Sequence, residues 1–301
     1  MKTTPYALIL LTWNQWELTE KCLRSLRGLS EEAWTLWVVD NGSSEKPPAD
    51  FEKCHLALQL IRLPENLGFA GGCNRGAQAA LKAGTEVLLF LNNDAVVSPD
   101  EINRLARAVR EGPYRILGGV NYRPSEPDRI FSTGQKFLWP LCRLKRLRDL
   151  RGANAPQPVA GIIGACFAVH RELFERIGFF DERFFIYYEE ADLCLRAASA
   201  GLPVACHPQV KIWHEGCSSF GKISPATLYL YTRNLGLFVM KHCPKPFLPF
   251  CLFSYAAQVA LKLVAFFVKG ERLKAKAVWV GMIDFLQGRF GKGRLDLFLK
   301  G

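Results

Sequence analysis

Asn92, Asn93 and Asp94 close an apolar run at 87–91, and a carboxylate beside two amides can bind a hard divalent cation that also holds phosphate oxygens. The same three residues also suit a plain helix-entry turn. Thr12 and Asn14 follow the run at 7–11, and Asp40, Asn41 and Gly42 follow the run at 35–39. A carboxylate at a strand end can accept from a ribose hydroxyl or a base N–H, although Asp-Asn-Gly-Ser is also ordinary turn chemistry. Residues 66–76, NLGFAGGCNRG, are glycine-rich and lead into a helix, which lets backbone N–H groups approach a diphosphate. The segment is neither a GxGxxG in its dinucleotide-binding context nor a Walker loop, because no Gly-Lys-Ser/Thr ends it. Further along, Glu189, Glu190 and Asp192 open a helical stretch. Glu189 and Asp192 share a face, Asp192 and Arg196 make an i, i+4 pair, and Glu190 points elsewhere.

Placing these groups together needs a scaffold, and the hydrophobic pattern supplies one. Runs at 7–11, 35–39, 58–63 and 87–91 read as strands, the last apolar throughout and so covered on both faces. Between them, 16–26 carries Leu18, Cys22, Leu23 and Leu26 on one helical face, and 74–82 reads as a second helix. Alternating strands and helices predict a doubly wound, mostly parallel α/β sheet, with the polar clusters at the carboxyl ends of its strands. Ser98, Pro99 and Glu101 spell a capping box just past Asp94. After Val120 the chain turns irregular and basic, with Arg143, Lys145, Arg146, Arg148 and Arg151 in CRLKRLRDLR, and reads as a mobile loop. Residues 189–200 form a helix ended by Gly201.

In order along the chain, ILLTWNQ (9–15), VVDNGSS (38–44), NLGFAGGCNRG (66–76), LLFLNNDAVV (88–97), GFFDERFFIYYEEADLCLRAASAG (178–201) and VKIWHEG (210–216) resemble the inverting family 2 nucleotide-sugar glycosyltransferases of the GT-A fold, especially the bacterial rhamnosyltransferase-like branch. The resemblance covers most of the chain. It implies that Thr12, Asn14, Asp40 and Gly42 meet the nucleoside, that Asn66, Gly71, Gly72 and Asn74 lie beside the donor, and that Asn92 and Asn93 sit on the nucleotide side. Asp94 becomes the metal-binding acid of the family's Asp-x-Asp motif, with Asn92 where the first acid would be, and His214 matches a histidine ligand for the same metal, Mg²⁺ or Mn²⁺. Glu190, with Glu189 beside it, takes the place of the general base, and Asp181 is the acceptor-side residue that touches a sugar. The implied reaction is a single in-line displacement from a nucleoside diphosphate sugar, with rhamnose the branch-level donor, onto a glycan or lipid-linked acceptor in cell-envelope polysaccharide synthesis. The alternative, prompted by Asn92, is a catalytically silent nucleotide-sugar-binding or scaffold protein of an envelope glycan complex.

Composition is that of a globular chain: 301 residues, 49% apolar and 22% charged, with a formal charge of +11. Ten cysteines without a CxxC pair exclude a zinc ribbon and a disulfide scaffold and fit a reducing cytosol. The apolar run after Lys2 is too short for a targeting signal and reads as the first buried strand. From 241 onward there are eleven basic and three acidic residues, so +8 of the charge sits in an apolar, helical extension. The chain therefore divides at 1–240, the GT-A domain, and 241–301, the extension. A nucleic-acid partner would need basic and aromatic residues interleaved over the folded domain, which this distribution does not provide. The extension is instead expected to lie on an anionic membrane surface at the cytoplasmic face, without crossing it, because Lys262 interrupts the uncharged stretch 246–261. A helical hairpin packed on the domain or within a homo-oligomer is the competing arrangement.

Overall fold

The computed structural model describes residues 4–49, 51, 58–149, 154–214 and 223–299; Arg151, Glu215 and Gly216 lie outside them. At its centre β1 (Tyr6–Thr12) pairs in parallel with β2 (Trp34–Asp40) and with β4 (Val87–Asn92), while β3 (Leu58–Arg62) extends β2 in parallel. Period-two alternation sends the side chains of β1 to opposite layers. Tyr6, Leu8 and Leu10 pack with Cys22 and Leu23 of α1 (Trp16–Ser25), a layer that also holds Ile102 and Leu105 of a later helix. Ala7 and Ile9 pack with Ala70, Cys73, Ala77 and Ala80 of α2 (Gly68–Lys82). A strand buried on both faces is stabilised by roughly 1.5–3 kcal/mol for each large apolar side chain, which explains its unbroken apolar sequence.

Beyond β4 come β5 (Ala95–Val96), α3 (Pro99–Glu111), β6 (Ile116–Arg123), β7 (Glu126–Ser132), β8 (Gly134–Leu138), β9 (Arg143–Leu147), β10 (Gln157–Pro158), β11 (Cys166–His170), α4 (Arg171–Ile177), α5 (Glu189–Ser199) and β12 (Val204–His214). The sheet order is β10-β12-β6-β11-β4-β1-β2-β3, with β11 antiparallel between β4 and β6 and β12 parallel to β6. The capping box is formed: Ser98 Oγ accepts from Glu101 N, and the Glu101 carboxylate accepts from Ser98 N at 3.1 Å.

Two elements differ from the sequence reading. The basic stretch expected as a mobile loop is ordered: β7 pairs with β6, and β8 and β9 form an antiparallel hairpin. Its arginines hid the apolar residues Phe137, Trp139 and Leu144, which pack into a cluster centred on Phe238. The helix expected at 74–82 begins six residues earlier, at Gly68, because the glycines themselves are helical.

Three helices complete the chain: α6 (Pro225–His242), α7 (Leu248–Val268) and α8 (Arg272–Leu286). Ser224 caps α6, which is buried nearly all round and packs against α7 and α8. Asp284 of α8 is fully buried and accepts from Tyr229 Oη of α6 at 2.7 Å and from Arg294 Nε at 2.8 Å. The expected boundary at 240/241 falls within α6.

Candidate active site

A cavity of about 620 Å³ opens at the carboxyl ends of β1 and β4, where an open α/β sheet offers its loops. Thr12, Asn66, Asn92, Asn93, Asp94, Glu189, Glu190 and His214 all line it. Thr12 Oγ1 accepts from Thr19 at 2.8 Å, and Asn93 Nδ2 donates to the same threonine at 3.2 Å. Asn14, in the left-handed region at φ 53°, binds the neighbouring loop through its N–H to Ser43 Oγ and its Oδ1 from Ser44 N. Asp40 is fully buried at the end of β2, where it accepts from Ser43 N and Arg62 Nε, each at 2.9 Å. Gly42 is needed for its turn: its φ is +74°, and an added Cβ would meet the Glu65 backbone at 2.4 Å. Asn14, Asp40 and Gly42 thus build the rim beside the cavity and are not part of its lining.

The acidic pair enters from the first turn of α5. Glu189 is 5% exposed and its Oε2 has no hydrogen-bond partner among the described residues; Glu190 is half-buried and faces Gln135 Nε2 at 3.5 Å. Burial, reinforced by the charge of Glu190, pushes the Glu189 carboxyl well above the usual range. Burial raises Glu190 as well, against the opposing pull of its own and the Ala191 backbone N–H and of Gln135. Desolvation therefore outweighs the helix N-terminus here.

An unusual backbone delivers this pair. Phe185, Tyr187 and Tyr188 all have positive φ, at 67°, 74° and 76°. Non-glycine residues in that region cost on the order of 1–3 kcal/mol each unless their surroundings enforce it. Asn234 of α6, fully buried, enforces it: its Nδ2 donates to the carbonyls of Phe184, Ile186 and Tyr187 at 2.7, 2.9 and 3.0 Å. Arg233 adds a bond to the Phe184 carbonyl, and Ala70 N donates to Phe185 O at 3.1 Å. On α5, Asp192 is fully buried and bound by Lys241 at 2.6 Å, His242 at 2.7 Å and Arg196 at 2.8 Å, which ties the acidic helix to the end of α6. The hydrogen bond with His242 and the charges of Arg196 and Lys241 hold Asp192 below the ordinary carboxylate range despite its burial.

Three expectations are corrected by this geometry. The glycine-rich segment does not present a row of N–H groups to a diphosphate: Leu67 N and Gly68 N bind Asn41 Oδ1 and Asn66 Oδ1, and Ala70 N binds Phe185 O. Gly71 and Gly72 serve close packing instead, since a Cβ on Gly72 would meet Leu11 at 2.3 Å and one on Gly71 would meet Leu67 at 2.6 Å. Asn74 is spent on the Phe180 backbone and on Glu182, away from the cavity. Asp181 is held by Arg183 and Lys241, both at 2.7 Å, and does not line the cavity. Conversely, Gln135, Arg123, Arg143, Arg146 and Lys262 do line it and were not singled out from sequence. The end of β6, the β8–β9 hairpin and the distant α7 bring them there, which no local pattern announces.

Asp94 Oδ1 and His214 Nε2 lie 3.1 Å apart at the ends of neighbouring segments, with Asn92 Nδ2 at 3.4 Å from the same nitrogen. Two ligands placed cis on an octahedral cation with bonds of about 2.1 Å stand about 3 Å apart, so the pair fits a divalent metal. No cluster of three or more His, Cys, Asp or Glu occurs among the described residues.

A doubly wound sheet whose strand-end cavity is lined by Asp94, His214, Glu189 and Glu190 has the GT-A architecture. Residues 7–178 match the glycosyl transferase family 2 model, more than half of the chain, and the protein belongs to that family. It is 29% identical over 262 residues to the dTDP-rhamnosyl transferase RfbF of Shigella flexneri, covering 81% of this chain and 83% of that one. It is 24% identical over 256 residues to the N-acetylglucosaminyl-diphospho-decaprenol L-rhamnosyltransferase of Mycobacterium tuberculosis, covering 77% and 83%. Among solved structures, the mannosyltransferase PcManGT of Pyrobaculum calidifontis, in complex with GDP-Man and Mn²⁺, superposes with a TM-score of 0.60 at 18% identity over 95% of this chain and 88% of that one. Within the family, the chain resembles the bacterial rhamnosyltransferase-like branch.

Proposed function

We propose that the protein is an inverting glycosyltransferase that moves a hexose, with rhamnose the first candidate, from a nucleoside diphosphate sugar to a lipid-linked or glycan acceptor of the cell envelope. The observation that carries this reading is that the acidic pair and the Asp94–His214 pair line one cavity. Glu190 accepts the proton of the acceptor hydroxyl, which attacks the anomeric carbon as the nucleoside diphosphate departs from the opposite face, so configuration inverts. Its raised pKa makes it a stronger base than an ordinary glutamate. Burial and the charge of Glu190 favour the protonated form of Glu189, which limits the negative charge on the attacking side. A divalent cation at Asp94 and His214 supplies positive charge to the leaving diphosphate when bound.

The same reading puts the enzyme at the inner face of the cytoplasmic membrane. Residues Lys245–Val268 are long and apolar enough to cross a bilayer, with a mean hydropathy of 1.8. Against spanning, Cys251, Tyr255 and Val259 are buried on the catalytic body and Gln258 donates to Leu141 O of the hairpin connection, so a crossing would draw α6, α8 and the hairpin into hydrocarbon. Lying flat instead leaves exposed Lys245, Lys269, Arg272 and Lys276 to meet anionic headgroups.

Glu190→Gln keeps the shape of the side chain but cannot take a proton. It is expected to lower kcat by roughly 10²–10⁴-fold with nucleotide binding retained, and Glu189→Gln to be milder. Normal turnover by Glu190→Gln overturns the assignment of the base. A thermal-shift panel of dTDP-, UDP- and GDP-sugars identifies the donor, since a ligand of the native state alone raises the melting temperature.

A further inference from the structure

Arg233 of α6 is fully buried, and its guanidinium has three partners. Nη2 donates to the Phe184 carbonyl at 3.2 Å, Nε to Asn234 Oδ1 at 3.0 Å and Nη1 to Tyr229 Oη at 3.3 Å. The first bond fastens the loop that leads into Glu189 and Glu190, and the second steadies Asn234, which grips the same loop. The third leads away from the cavity. Tyr229 Oη donates onward to Asp284 Oδ2 at 2.7 Å and accepts from Arg294 N at 2.8 Å, while Arg294 Nε donates to Asp284 Oδ1 at 2.8 Å. Asp284 is fully buried too, so a buried cation beside the loop is answered, through one phenol, by a buried anion on α8. A buried charge that loses its partner is costly, which makes each link depend on the next.

The segment that follows α8 supplies the far end of this chain. Gly291 N donates to Arg183 O at 2.9 Å, one residue before Phe184. Leu295 and Phe298 are buried in a cluster with Tyr229, Leu230 and Phe185, and the Phe298 ring centre lies 5.4 Å from that of Tyr229. Phe185 is one of the three left-handed loop residues and lines the cavity. At Gly293, where φ is +53°, a Cβ would run into the Tyr229 hydroxyl, so the close approach of this segment needs a glycine. Residues 288–299 thus reach the loop in three ways: a backbone bond to Arg183, apolar packing on Phe185, and the Arg294–Asp284–Tyr229–Arg233 chain that ends on Phe184. Arg233, Tyr229, Asp284 and Arg294 do not line the cavity.

We infer that Tyr229, Asp284 and Arg294 are positioning residues for the acidic pair, and that residues 288–299 clamp the left-handed loop in the shape that presents Glu190. This rests on the transferase reading for the role of Glu190, and it adds residues remote from the cavity on which turnover depends. A loop with three non-glycine residues at positive φ relaxes when its supports are removed. A misplacement of about 1 Å at a reacting group can cost about 10²-fold in rate.

Kinetics and amide hydrogen exchange on the full-length protein test the inference together. Tyr229→Phe keeps the ring in its cluster and removes only the hydroxyl, and Arg294→Gln removes the charge beside Asp284. Each is expected to lower kcat about tenfold while donor KM and the Kd for nucleotide with Mn²⁺ stay within twofold. Arg294→Lys, which keeps a cation beside Asp284, should recover most of the loss. Lys292→Gln breaks only the exposed Lys292–Asp296 pair of the same segment and should match the wild type. The amides of Phe184, Phe185 and Ile186 are hydrogen-bonded within the loop, so they should exchange faster in Tyr229→Phe and Arg294→Gln while β1 and β4 keep their protection. Unchanged loop exchange in both variants overturns the clamp. Faster exchange with unchanged kcat, or a lower melting temperature as the sole effect, reduces these residues to structural ones and overturns the positioning role. Wild-type protein that turns over no donor sinks the transferase reading, and the exchange result still decides whether residues 288–299 hold the loop.

Discussion

Glu190 and Asp94 lie in the same cavity but answer to different physics, and each can be tested alone. Glu190 works as a base only when ionised, so turnover falls as pH drops through its pKa. Because burial lifts that pKa above the ordinary 4.5, the acid limb of a kcat/KM profile is expected above that pH. A limb at or below it would mean that the cavity is wetter than the geometry says or that another group is the base. In the proposed metal site Asp94 and His214 lie 3.1 Å apart and are the two side-chain ligands, so neither can be spared. Asp94→Ala and His214→Ala are each expected to remove the Mn²⁺ dependence of nucleotide binding, measured by titration with and without the metal. Full activity in excess EDTA takes the cation out of the mechanism.

Between residues and fold stands α6, which lends Tyr231 and Leu235 to the cavity lining and shapes the segment that carries the acidic pair. Asn234 donates to three carbonyls of a loop whose three left-handed residues have no glycine among them. Asn234→Ala leaves those carbonyls without their buried donor, a loss of about 1–3 kcal/mol in denaturant unfolding. Freed from the clamp, the loop no longer holds the acidic pair in place, so kcat should fall by more than nucleotide affinity does. A stability loss with unchanged kcat would reduce Asn234 to a structural residue. Gly68 belongs to the same device, since a Cβ there would lie 2.4 Å from the Phe185 carbonyl oxygen.

For the molecule as a whole, α7 carries an exposed apolar stripe that includes Phe250, Phe253, Leu261, Val264, Phe267 and Val268. Anionic liposomes should float the full-length protein at low salt and less of it at high salt, because basic residues near the headgroups contribute about 1 kcal/mol each. The triple variant Phe253→Ser, Val264→Ser, Phe267→Ser is expected to stay at the bottom of the gradient. Equal flotation by both proteins, or none by either, overturns the membrane reading. Cutting the chain after α6 is a poor substitute: Tyr229 and Asp284 bind each other across the α6–α8 interface, and α6 carries the clamp on the active-site loop.

Order and residue type were enough to determine the parallel core, the capping box at Ser98 and the family, because these rest on local periodicity and on short motifs at strand ends. Only tertiary structure decided the rest. Gly68, Gly72 and Gly76 turned out to be packing residues, because their neighbours are Phe185, Leu11 and Ile9, from segments whose approach no spacing encodes. Asp181 was drawn off by Lys241, sixty residues away in the chain. The cations at the cavity wall come from β6, β9 and α7, three segments whose meeting depends on how a basic hairpin packs against a helix. Local sequence specifies which way a side chain leaves its own backbone, and long-range packing specifies what it meets.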